Sequence, residues 1–331
     1  MILVTGGTGM LGAHLLLNLA QKNQSLRATY RTESRLEETR TFFLAKAGNN
    51  IHYFDRIQWV KTSLDDFYTL DTAFEGVQFV YHCAAKVSFS AFDKEKLMHS
   101  NIEGTTHVVD LCLKHHIKKL AYVSSIAAIG AEKTIKKVNE LHSWNSNQHH
   151  TDYAKSKYKA ELEVWRGAQE GLDVVIVNPG VILGAHFWHR SSGVLFKRIQ
   201  RGLRFYTTGT TALVALEDVV IVLVQLMNSN IKNERFILVA DNRKQKQLLD
   251  TIGNALNKKK TTYPLYYGFL IFLFIIDKSL AMLGLKKSFL SLGFIEALHS
   301  KQEYDGSKIT KAIPFDYTPI NETIKKISKT Y

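Results

Sequence analysis

The chain has 331 residues, 45% of them hydrophobic, only 4 prolines, and a formal net charge of +13 at pH 7. A chain of this length and composition can bury a large core, and the scarcity of proline argues against long disordered linkers. The basic residues are spread widely without a recognisable nucleic-acid-binding module, so the positive charge does not predict a nucleic-acid partner.

The first predicted element is a short apolar strand, Ile2-Leu3-Val4, and a glycine-rich turn follows it at once. The turn reads Gly7-x-Gly9-x-x-Gly12 and leads into a helix predicted from Ala13 to Gln21. In this strand–turn–helix setting the spacing predicts a dinucleotide site, because glycines let backbone N–H groups approach a pyrophosphate at a helix N-terminus. The predicted cofactor-binding residues of the turn are Gly6, Gly7, Thr8, Gly9, Met10, Leu11 and Gly12.

The second predicted strand, Leu26 to Tyr30, bears on the choice of cofactor because Arg31 follows it. An NAD-selective site places an acidic residue about 20 residues beyond the glycines, on the ribose 2′-hydroxyl. A guanidinium fits a 2′-phosphate instead, and Arg35 would add a second contact one turn later. Glu33 is the competing candidate, since a small change in turn geometry would bring it to the ribose. We predict NADP(H) in preference to NAD(H).

Predicted strands continue to alternate with helices through residue 178, which is typical of a parallel sheet with helices on both faces. The later strands are predicted at Gln58 to Lys61, Phe79 to His82, Leu120 to Ser124 and Val174 to Val177. Beyond Pro179 the pattern is irregular, with loops predicted at 184–190 and 207–213. The fold class that this predicts is α/β, a doubly wound Rossmann sheet with a smaller C-terminal substrate lobe.

The same change of pattern predicts the domain boundaries. A dinucleotide-binding domain is predicted for residues 1–178, and the segment 213–239 returns to it. The substrate lobe is predicted for 179–212 and 240–331.

Ser125, Tyr153 and Lys157 predict redox chemistry. Tyr153 and Lys157 are four residues apart in a run with helical character, so their side chains share one helix face. A phenol with a pKa of about 10 is a poor acid or base at neutral pH, and we expect the Lys157 cation to lower the pKa of Tyr153. Ser125 ends an apolar strand, and ligands of open α/β sheets bind at the carboxyl edge of the strands.

Over nearly its whole length the chain resembles an extended short-chain dehydrogenase/reductase, of the branch that holds dihydroflavonol-reductase-like and 3β-hydroxysteroid-dehydrogenase-like enzymes. Further motifs that carry the resemblance occur in the expected order: Tyr81-His82-Cys83-Ala84-Ala85, Asn101-Ile102-Glu103-Gly104-Thr105, Val123 to Gly130, Asn178-Pro179-Gly180, and Tyr304-Asp305-Gly306-Ser307-Lys308.

The resemblance implies roles for the catalytic set. Tyr153 would be the general acid/base at the substrate oxygen, Lys157 would hold the nicotinamide ribose, and Ser125 would hydrogen-bond the same oxygen. The motif aligns Ser125, rather than Ser124, with the family's catalytic serine. Asn101 would help to set the active-site geometry, although an ordinary N-cap for a helix from Ile102 to His115 is an equally good interpretation.

The resemblance also implies cofactor contacts outside the glycine turn. Ala84 and Ala85 would lie beside the adenosine and the nicotinamide ribose, and Pro179 would lie against the nicotinamide. Ser63 and Leu64 would lie near the adenine. Relatives usually have an aspartate at the position of Ser63, so this contact is expected to be weaker here.

The function predicted is a reductase that moves hydride from NADPH to a carbonyl, or a dehydrogenase acting on a secondary alcohol, of a hydrophobic small molecule. Its pocket would be lined by Phe187, Trp188, Phe205, Tyr206 and the aromatic residues from Tyr263 to Phe274, which would otherwise form an ordinary aromatic core. The first alternative is a nucleotide-sugar epimerase or dehydratase with retained NAD, whose substrate pyrophosphate would bind cations in the lobe: Arg190, Arg198, Arg201 and Arg204. The second is a non-catalytic dinucleotide-sensing protein, a class that often lacks the tyrosine or the lysine.

No metal site is predicted, because the closely spaced histidines, His149-His150 and His186-x-x-His189, lack a cysteine or carboxylate at the spacing of known sites. Cys83 and Cys112 are interpreted as reduced, buried thiols. The apolar run that contains the first strand begins at Met1 and leaves no room for a signal peptide, so a cytoplasmic location is expected.

A long apolar run, 263–276, follows Lys258-Lys259-Lys260 and precedes Lys278, Lys286 and Lys287. The run is too short to span a bilayer comfortably, which leaves two interpretations: a buried helix of the substrate lobe, or peripheral docking of 258–287 on an anionic membrane. Besides a small-molecule substrate and this membrane surface, a second copy of the chain, as a homodimer, is the remaining candidate partner.

Overall fold

The computed structural model describes residues 1–48, 51–88, 90–132, 134–282 and 291–331. The strands within these residues are β1 (Ile2–Thr5), β2 (Leu26–Tyr30), β3 (Gln58–Lys61), β4 (Phe79–His82), β5 (Lys119–Val123), β6 (Lys137–Val138), β7 (Val174–Pro179), β8 (Val181–Leu183), β9 (Phe205–Thr207), β10 (Thr210–Ala215), β11 (Glu234–Leu238), β12 (Asp241–Lys244), β13 (Tyr263–Leu265) and β14 (Glu303–Tyr304).

The helices within the same residues are α1 (Met10–Gln21), α2 (Glu33–Lys46), α3 (His52–Asp55), α4 (Phe67–Thr72), α5 (Lys94–Met98), α6 (Gly104–Lys114), α7 (Asp152–Gln169), α8 (Gly193–Gln200), α9 (Leu216–Asn228), α10 (Gln245–Ala255), α11 (Tyr267–Met282), α12 (Leu292–His299), α13 (Ser307–Ala312) and α14 (Ile320–Lys329). A π-helical turn, His99–Glu103, precedes α6, and a 3-10 turn, Ile126–Ala128, follows β5.

The main sheet contains, in the described part of the chain, seven strands in the order β11-β7-β5-β4-β1-β2-β3. All neighbouring strands in it are parallel. The order reverses between β1 and β4, and ligands of doubly wound sheets bind in the crevice outside the carboxyl ends at such a switch point. The predicted doubly wound parallel sheet is confirmed.

Both faces of the central strands of the main sheet are buried. Successive side chains of a strand point to opposite faces, so each of these strands contributes to two cores. Leu120 and Tyr122 of β5 belong to a core with α4, α6 and α7. Ala121 between them belongs to the opposite core, with α1, α2 and α9. Burial on both faces explains why these strands appear in the sequence as continuous apolar runs.

A third hydrophobic core is built by residues after β7. It contains Leu183, Phe196, Ile199, Leu213, Leu248, Leu249, Ile252, Ile320, Ile324 and Ile327. Beside it, β10 pairs with β8 in parallel and with β12 in antiparallel orientation. The predicted loop at 207–213 is therefore wrong. Threonine is β-branched and favours strands, so Thr210 and Thr211 begin β10 rather than a loop.

Candidate active site

The glycine-rich turn after β1 has a conformation that requires glycine. Gly6 has a φ of +70°, and a Cβ atom added to it would lie 2.7 Å from the backbone N of Ala84. A Cβ on Gly12 would clash with the carbonyl oxygen of Gly6, and the N–H of Gly9 donates to that oxygen at 2.9 Å. The turn is thus a tight backbone cradle, and these residues fit a dinucleotide pyrophosphate.

Helix α1 begins directly after this turn, with Gly9 as its N-cap and no acidic residue in its first turn. The side chains of Met10 and Leu11 are buried, so these residues would contact a ligand through backbone N–H groups. Unpaired N–H groups and the helix dipole favour an anion at this end. The structure brings the predicted turn residues, Thr8 included, together at the carboxyl end of β1.

Ala84 and Ala85 directly follow β4, across the switch point from Gly6. Ala84 is half-buried against Gly6, whereas Ala85 is exposed. Pro179 is the buried last residue of β7. All three predicted cofactor residues therefore lie at the carboxyl edge of the main sheet.

Arg31 lies at the carboxyl end of β2 with its side chain exposed. Among the described residues its guanidinium has no hydrogen bond or ion pair. Glu33, in contrast, has two partners within the protein. It accepts a hydrogen bond from Tyr30 Oη at 3.2 Å and pairs with Lys61 Nζ at 3.0 Å. Arg35 pairs with Glu38 at 3.2 Å on α2. Of the two arginines, Arg31 is therefore the one whose guanidinium is available to bind an anion, since Arg35 is paired with Glu38.

Ser63 and Leu64 follow β3, as predicted, but both have partners within the protein. Ser63 Oγ donates a hydrogen bond to Asp65 Oδ2 at 3.2 Å. The side chain of Leu64 lies against Gly104, where an added Cβ would approach it to 2.7 Å. A ligand contact by Ser63 would therefore replace or share its bond to Asp65.

Ser125 and Tyr153 meet at the carboxyl end of β5. Ser125 caps the 3-10 turn, where its Oγ accepts from the N–H of Ala127 at 3.1 Å, and its side chain also hydrogen-bonds that of Tyr153. Ser124 faces the interior, where its Oγ donates to Glu161 Oε2 at 2.6 Å. Of the two adjacent serines, the structure therefore brings Ser125 to the tyrosine.

The pKa of Tyr153 is raised above its ordinary value, because burial disfavours the phenolate more than the hydrogen bond from Ser125 favours it. We expected Lys157 to lower this pKa, and that expectation is wrong for the present geometry. Tyr153 is a neutral phenol at neutral pH, which is the form that can donate a proton.

Lys157 lies one turn after Tyr153 on α7 and is buried. Its ammonium donates hydrogen bonds to Tyr122 Oη and to the carbonyl oxygen of Val123, both at 2.8 Å. Burial lowers its pKa from 10.5 to about 7, against the opposing charge of Glu161. The lysine therefore titrates near neutral pH.

A chain of buried hydrogen bonds runs from Lys157 back to β1. Tyr122 bonds the side chain of Thr105, whose Oγ1 lies 3.0 Å from His82 Nε2, and His82 Nδ1 lies 2.6 Å from Thr5 Oγ1. Burial lowers the pKa of His82 to about 3, so the ring is neutral and joins the two hydroxyls. Sequence reasoning missed this chain because its members are distant in sequence.

Glu161 is a second buried residue that sequence reasoning missed. It accepts hydrogen bonds from Ser124 and, at 2.7 Å, from Asn178 Nδ2, and it pairs with Arg235 at 3.2 Å. It thereby joins α7 to β7, to β11 and to the residue that follows β5. Its position could have been predicted from the sequence. Glu161 is four residues after Lys157, so it shares one helix face with Lys157 and Tyr153.

Asn101 lies in the π-helical turn and is buried. Its Oδ1 accepts from the N–H of Lys86 at 2.7 Å, and its Nδ2 donates to the Lys86 carbonyl at 3.0 Å and to Ser156 Oγ at 2.9 Å. The N-cap interpretation is wrong, because α6 begins only at Gly104. Asn101 instead fixes the segment after β4 to α7, and π-helical turns occur frequently at functional sites.

Comparison with known proteins identifies the family of this chain. The sequence profile of the NAD dependent epimerase/dehydratase family matches residues 2–238. The chain belongs to this family. It is an NAD(P)-dependent enzyme of the extended short-chain dehydrogenase/reductase type.

Two relatives are named as a dihydroflavonol reductase and as a sterol demethylase protein. The chain is 27% identical to a putative dihydroflavonol 4-reductase of Synechocystis sp., over 97% of this chain and 91% of that protein. It is 29% identical to sterol demethylase protein B of Methylococcus capsulatus, over 72% of this chain and 69% of that protein.

Solved structures show the same fold. The protein gox2253 matches with a TM-score of 0.83 at 21% identity, covering 100% of this chain and 97% of that one. A UDP-glucose 4-epimerase of Thermotoga maritima matches with a TM-score of 0.76 at 18% identity, covering 99% and 97%.

Two side chains of the predicted substrate lobe, Phe187 and Arg190, contact other parts of the protein rather than a substrate pocket. Phe187 is buried against Phe42, with ring centroids 5.4 Å apart, so its predicted place in a substrate pocket is wrong. Arg190 lies 4.5 Å from the centre of the Phe187 ring and pairs with Glu38 at 3.0 Å. It is therefore not available to a substrate pyrophosphate.

Across the described residues, no three histidine, cysteine or acidic side chains converge as a metal ion would require.

The pKa of Lys157 predicts a pH-dependent stability. Between about pH 7 and 10.5 the unfolded chain binds a proton at this lysine that the folded chain does not, so the free energy of unfolding rises with pH there. In Lys157→Met this contribution is absent. We expect the difference between wild type and variant to grow in favour of wild type by roughly 1 kcal/mol per pH unit.

Urea unfolding at both ends of this window measures the difference. Lys155→Met is the matched control, because Lys155 is an exposed lysine on the same helix, and it should show no such slope. Parallel pH profiles for wild type and Lys157→Met would mean that the buried lysine titrates normally.

Proposed function

We propose that this protein is an NADP(H)-dependent reductase that reduces a carbonyl of a hydrophobic small molecule, or oxidises the corresponding secondary alcohol. Its catalytic residues are Ser125, Tyr153 and Lys157, and Asn101 acts as a positioning residue. The observation that carries the proposal is the hydrogen bond between Ser125 and Tyr153 at the carboxyl edge of the sheet, with Lys157 one turn away.

In reduction, bound NADPH supplies a hydride to the carbonyl carbon. Tyr153 donates its phenolic proton to the carbonyl oxygen as that oxygen gains negative charge, and Ser125 donates a hydrogen bond to the same oxygen. Lys157, when protonated, stabilises the phenolate that remains on Tyr153. Asn101 holds the segment around Lys86 and Ser156 in place, so that α7 presents Tyr153 correctly.

The raised pKa of Tyr153 favours reduction at neutral pH. A neutral phenol can donate its proton directly, whereas alcohol oxidation needs the phenolate. In the oxidative direction, the rate should therefore increase with pH above neutrality.

NADP(H) as the preferred cofactor is supported by the end of β2. Arg31 is exposed there without a protein partner among the described residues, while Glu33 is held by Lys61 and Tyr30. A guanidinium in this position can bind the 2′-phosphate, and the partners of Glu33 compete with a contact between this acid and the 2′-hydroxyl. The cofactor contacts proposed are those of the glycine turn, Arg31 and the residues at the carboxyl ends of β3, β4 and β7.

The names of two relatives support a hydrophobic small molecule as the substrate. The names of the two relatives refer to a dihydroflavonol and a sterol, both largely apolar molecules. The predicted substrate lobe, 179–212 with 240–331, would supply the walls of the pocket, and the third hydrophobic core would hold most of that lobe together. The proposed dinucleotide-binding domain comprises residues 1–178 and 213–239.

A turnover assay tests the function. Purified protein with NADPH is mixed with a panel of hydrophobic aldehydes and ketones, and the loss of NADPH absorbance is followed. The proposal predicts stoichiometric alcohol formation with at least one panel member. An epimerase would instead interconvert nucleotide sugars without net NADPH consumption, and the absence of turnover with either set would favour a dinucleotide-sensing role.

A further inference from the structure

Helix α11 carries large apolar residues on the side that faces solvent as well as on its buried side. Phe269, Phe272 and Ile275 recur every three residues along it and are 51%, 57% and 56% exposed. The opposite side buries Leu270 and Asp277. The interpretation of this segment as a buried helix is therefore wrong for its outer face. An apolar stripe on the outside of a surface helix marks a contact surface for something other than water.

Aromatic residues before the helix extend this stripe. Phe205 of β9 and Tyr263 of β13 are both half exposed, with ring centroids 5.7 Å apart on paired strands. Tyr266 and Tyr267 at the start of α11 are also exposed. We call this set, with Phe269, Phe272, Ile275 and Ile276, the α11 surface.

Cations border the α11 surface. They are Arg201 and Arg204 near β9, Lys258, Lys259 and Lys260 before β13, and Lys278 on α11, all exposed. Within the described ranges none of them pairs with a carboxylate. The acid of α11, Asp277, points inward. The predicted contributors Lys286 and Lys287 lie outside the described residues.

The geometry of the helix fits a position on a bilayer rather than across it. Among the described residues, no helix has both the length and the apolar character that crossing a membrane requires. The 16 residues of α11 span about 24 Å, less than the roughly 30 Å of a hydrocarbon core.

We propose that the α11 surface docks on an anionic lipid bilayer, with its aromatic and aliphatic side chains in the interfacial region and its cations at the headgroups. Tyrosine, phenylalanine and lysine belong at that depth, and each lysine or arginine near an anionic surface adds attraction. This inference does not depend on the proposed reaction.

A second copy of the chain fits the same surface less well. In a two-fold dimer the same patch lies on both sides of the interface, so the bordering lysines and arginines of the two copies would approach one another. Such a contact opposes like charges, and the net charge of +13 adds to the repulsion. An anionic bilayer satisfies both the apolar stripe and the cations.

Vesicle flotation with the full chain tests the proposal. Wild type should float with vesicles that contain phosphatidylglycerol, bind phosphatidylcholine vesicles much less, and bind less at high salt. Phe272→Glu should weaken binding roughly tenfold or more. Tyr68→Glu is the matched control, because Tyr68 is an aromatic residue of α4 that is 86% exposed, and it should bind like wild type.

Unchanged melting temperatures and NADPH binding establish that both variants are folded. The proposal is overturned if wild type binds neither vesicle, if it binds both vesicles equally, or if Phe272→Glu floats like wild type. A concentration-dependent dimer that Phe272→Glu dissociates would also overturn it, and would assign the α11 surface to a second copy.

Discussion

Tyr153→Phe is expected to lower kcat by roughly 10²–10⁴-fold while leaving the Kd for NADPH near the wild-type value. The substitution removes the hydroxyl that bonds Ser125 and keeps the ring that packs at the start of α7. Without that hydroxyl, no side chain donates a proton as the carbonyl oxygen gains charge. Steady-state kinetics with a panel substrate, together with a fluorescence titration of NADPH, separates the two effects.

Tyr158→Phe is the control for this experiment. Tyr158 lies on the same helix, but its ring stacks on Trp144 at 4.4 Å and its hydroxyl plays no part in the site. The control should retain wild-type turnover. If Tyr153→Phe retained it too, the tyrosine would not be the proton donor and the proposed mechanism would fail.

Arg31→Ser is expected to reduce the preference for NADPH over NADH by roughly 10- to 100-fold, mainly by weakening NADPH binding. A charge-assisted hydrogen bond to the 2′-phosphate contributes about 1.5–3 kcal/mol, and NADH has no 2′-phosphate to lose it. The Kd values for the two cofactors, measured side by side, give the ratio.

Arg40→Ser controls for the loss of one positive charge. Arg40 is an exposed arginine of α2, the helix that follows Arg31, and it pairs loosely with Glu37 at 3.8 Å. Its removal should leave the cofactor preference unchanged. Equal effects of the two substitutions would mean that general charge, rather than a specific contact, attracts NADPH.

Six of the seven strands of the main sheet were predicted, because most of them are buried on both faces and form apolar runs, whereas β11 was not predicted. The bounds of β2, β3 and β4 agree with those predicted from apolar runs, and β1, β5 and β7 differ by one or two residues at their ends. Strand β10 was missed because the polar run Thr207-Thr208-Gly209 directly before it indicated a loop, and the pairing with β8 and β12 identifies the strand. The sequence contains no local signal for the π-helical turn at Asn101.

The candidate site was predictable where its residues form local motifs. The glycine turn and the pair Tyr153 and Lys157 follow from spacing alone. The partners of Lys157 did not follow from it, since Tyr122 is 35 residues away along the chain. The pKa of Tyr153 was predicted in the wrong direction. Its shift depends on burial, which results from tertiary packing and is not visible in the spacing of residues.

The apolar run at 263–276 shows a further limit of sequence patterns. Its composition predicted a helix or an interfacial segment, but nearly every position is apolar, so no periodicity distinguishes an inner from an outer face. The packing of α11 against α12 decides which residues remain exposed.

The measurement that tests the central claim most directly is a cofactor titration. Whatever dinucleotide copurifies is first identified by mass spectrometry and removed, and the stripped protein is then titrated with NADPH and NADH. We predict an exchangeable site that binds NADPH more tightly than NADH. Tightly retained NAD⁺, with no preference for NADPH, would contradict the proposed reductase and favour an epimerase or dehydratase.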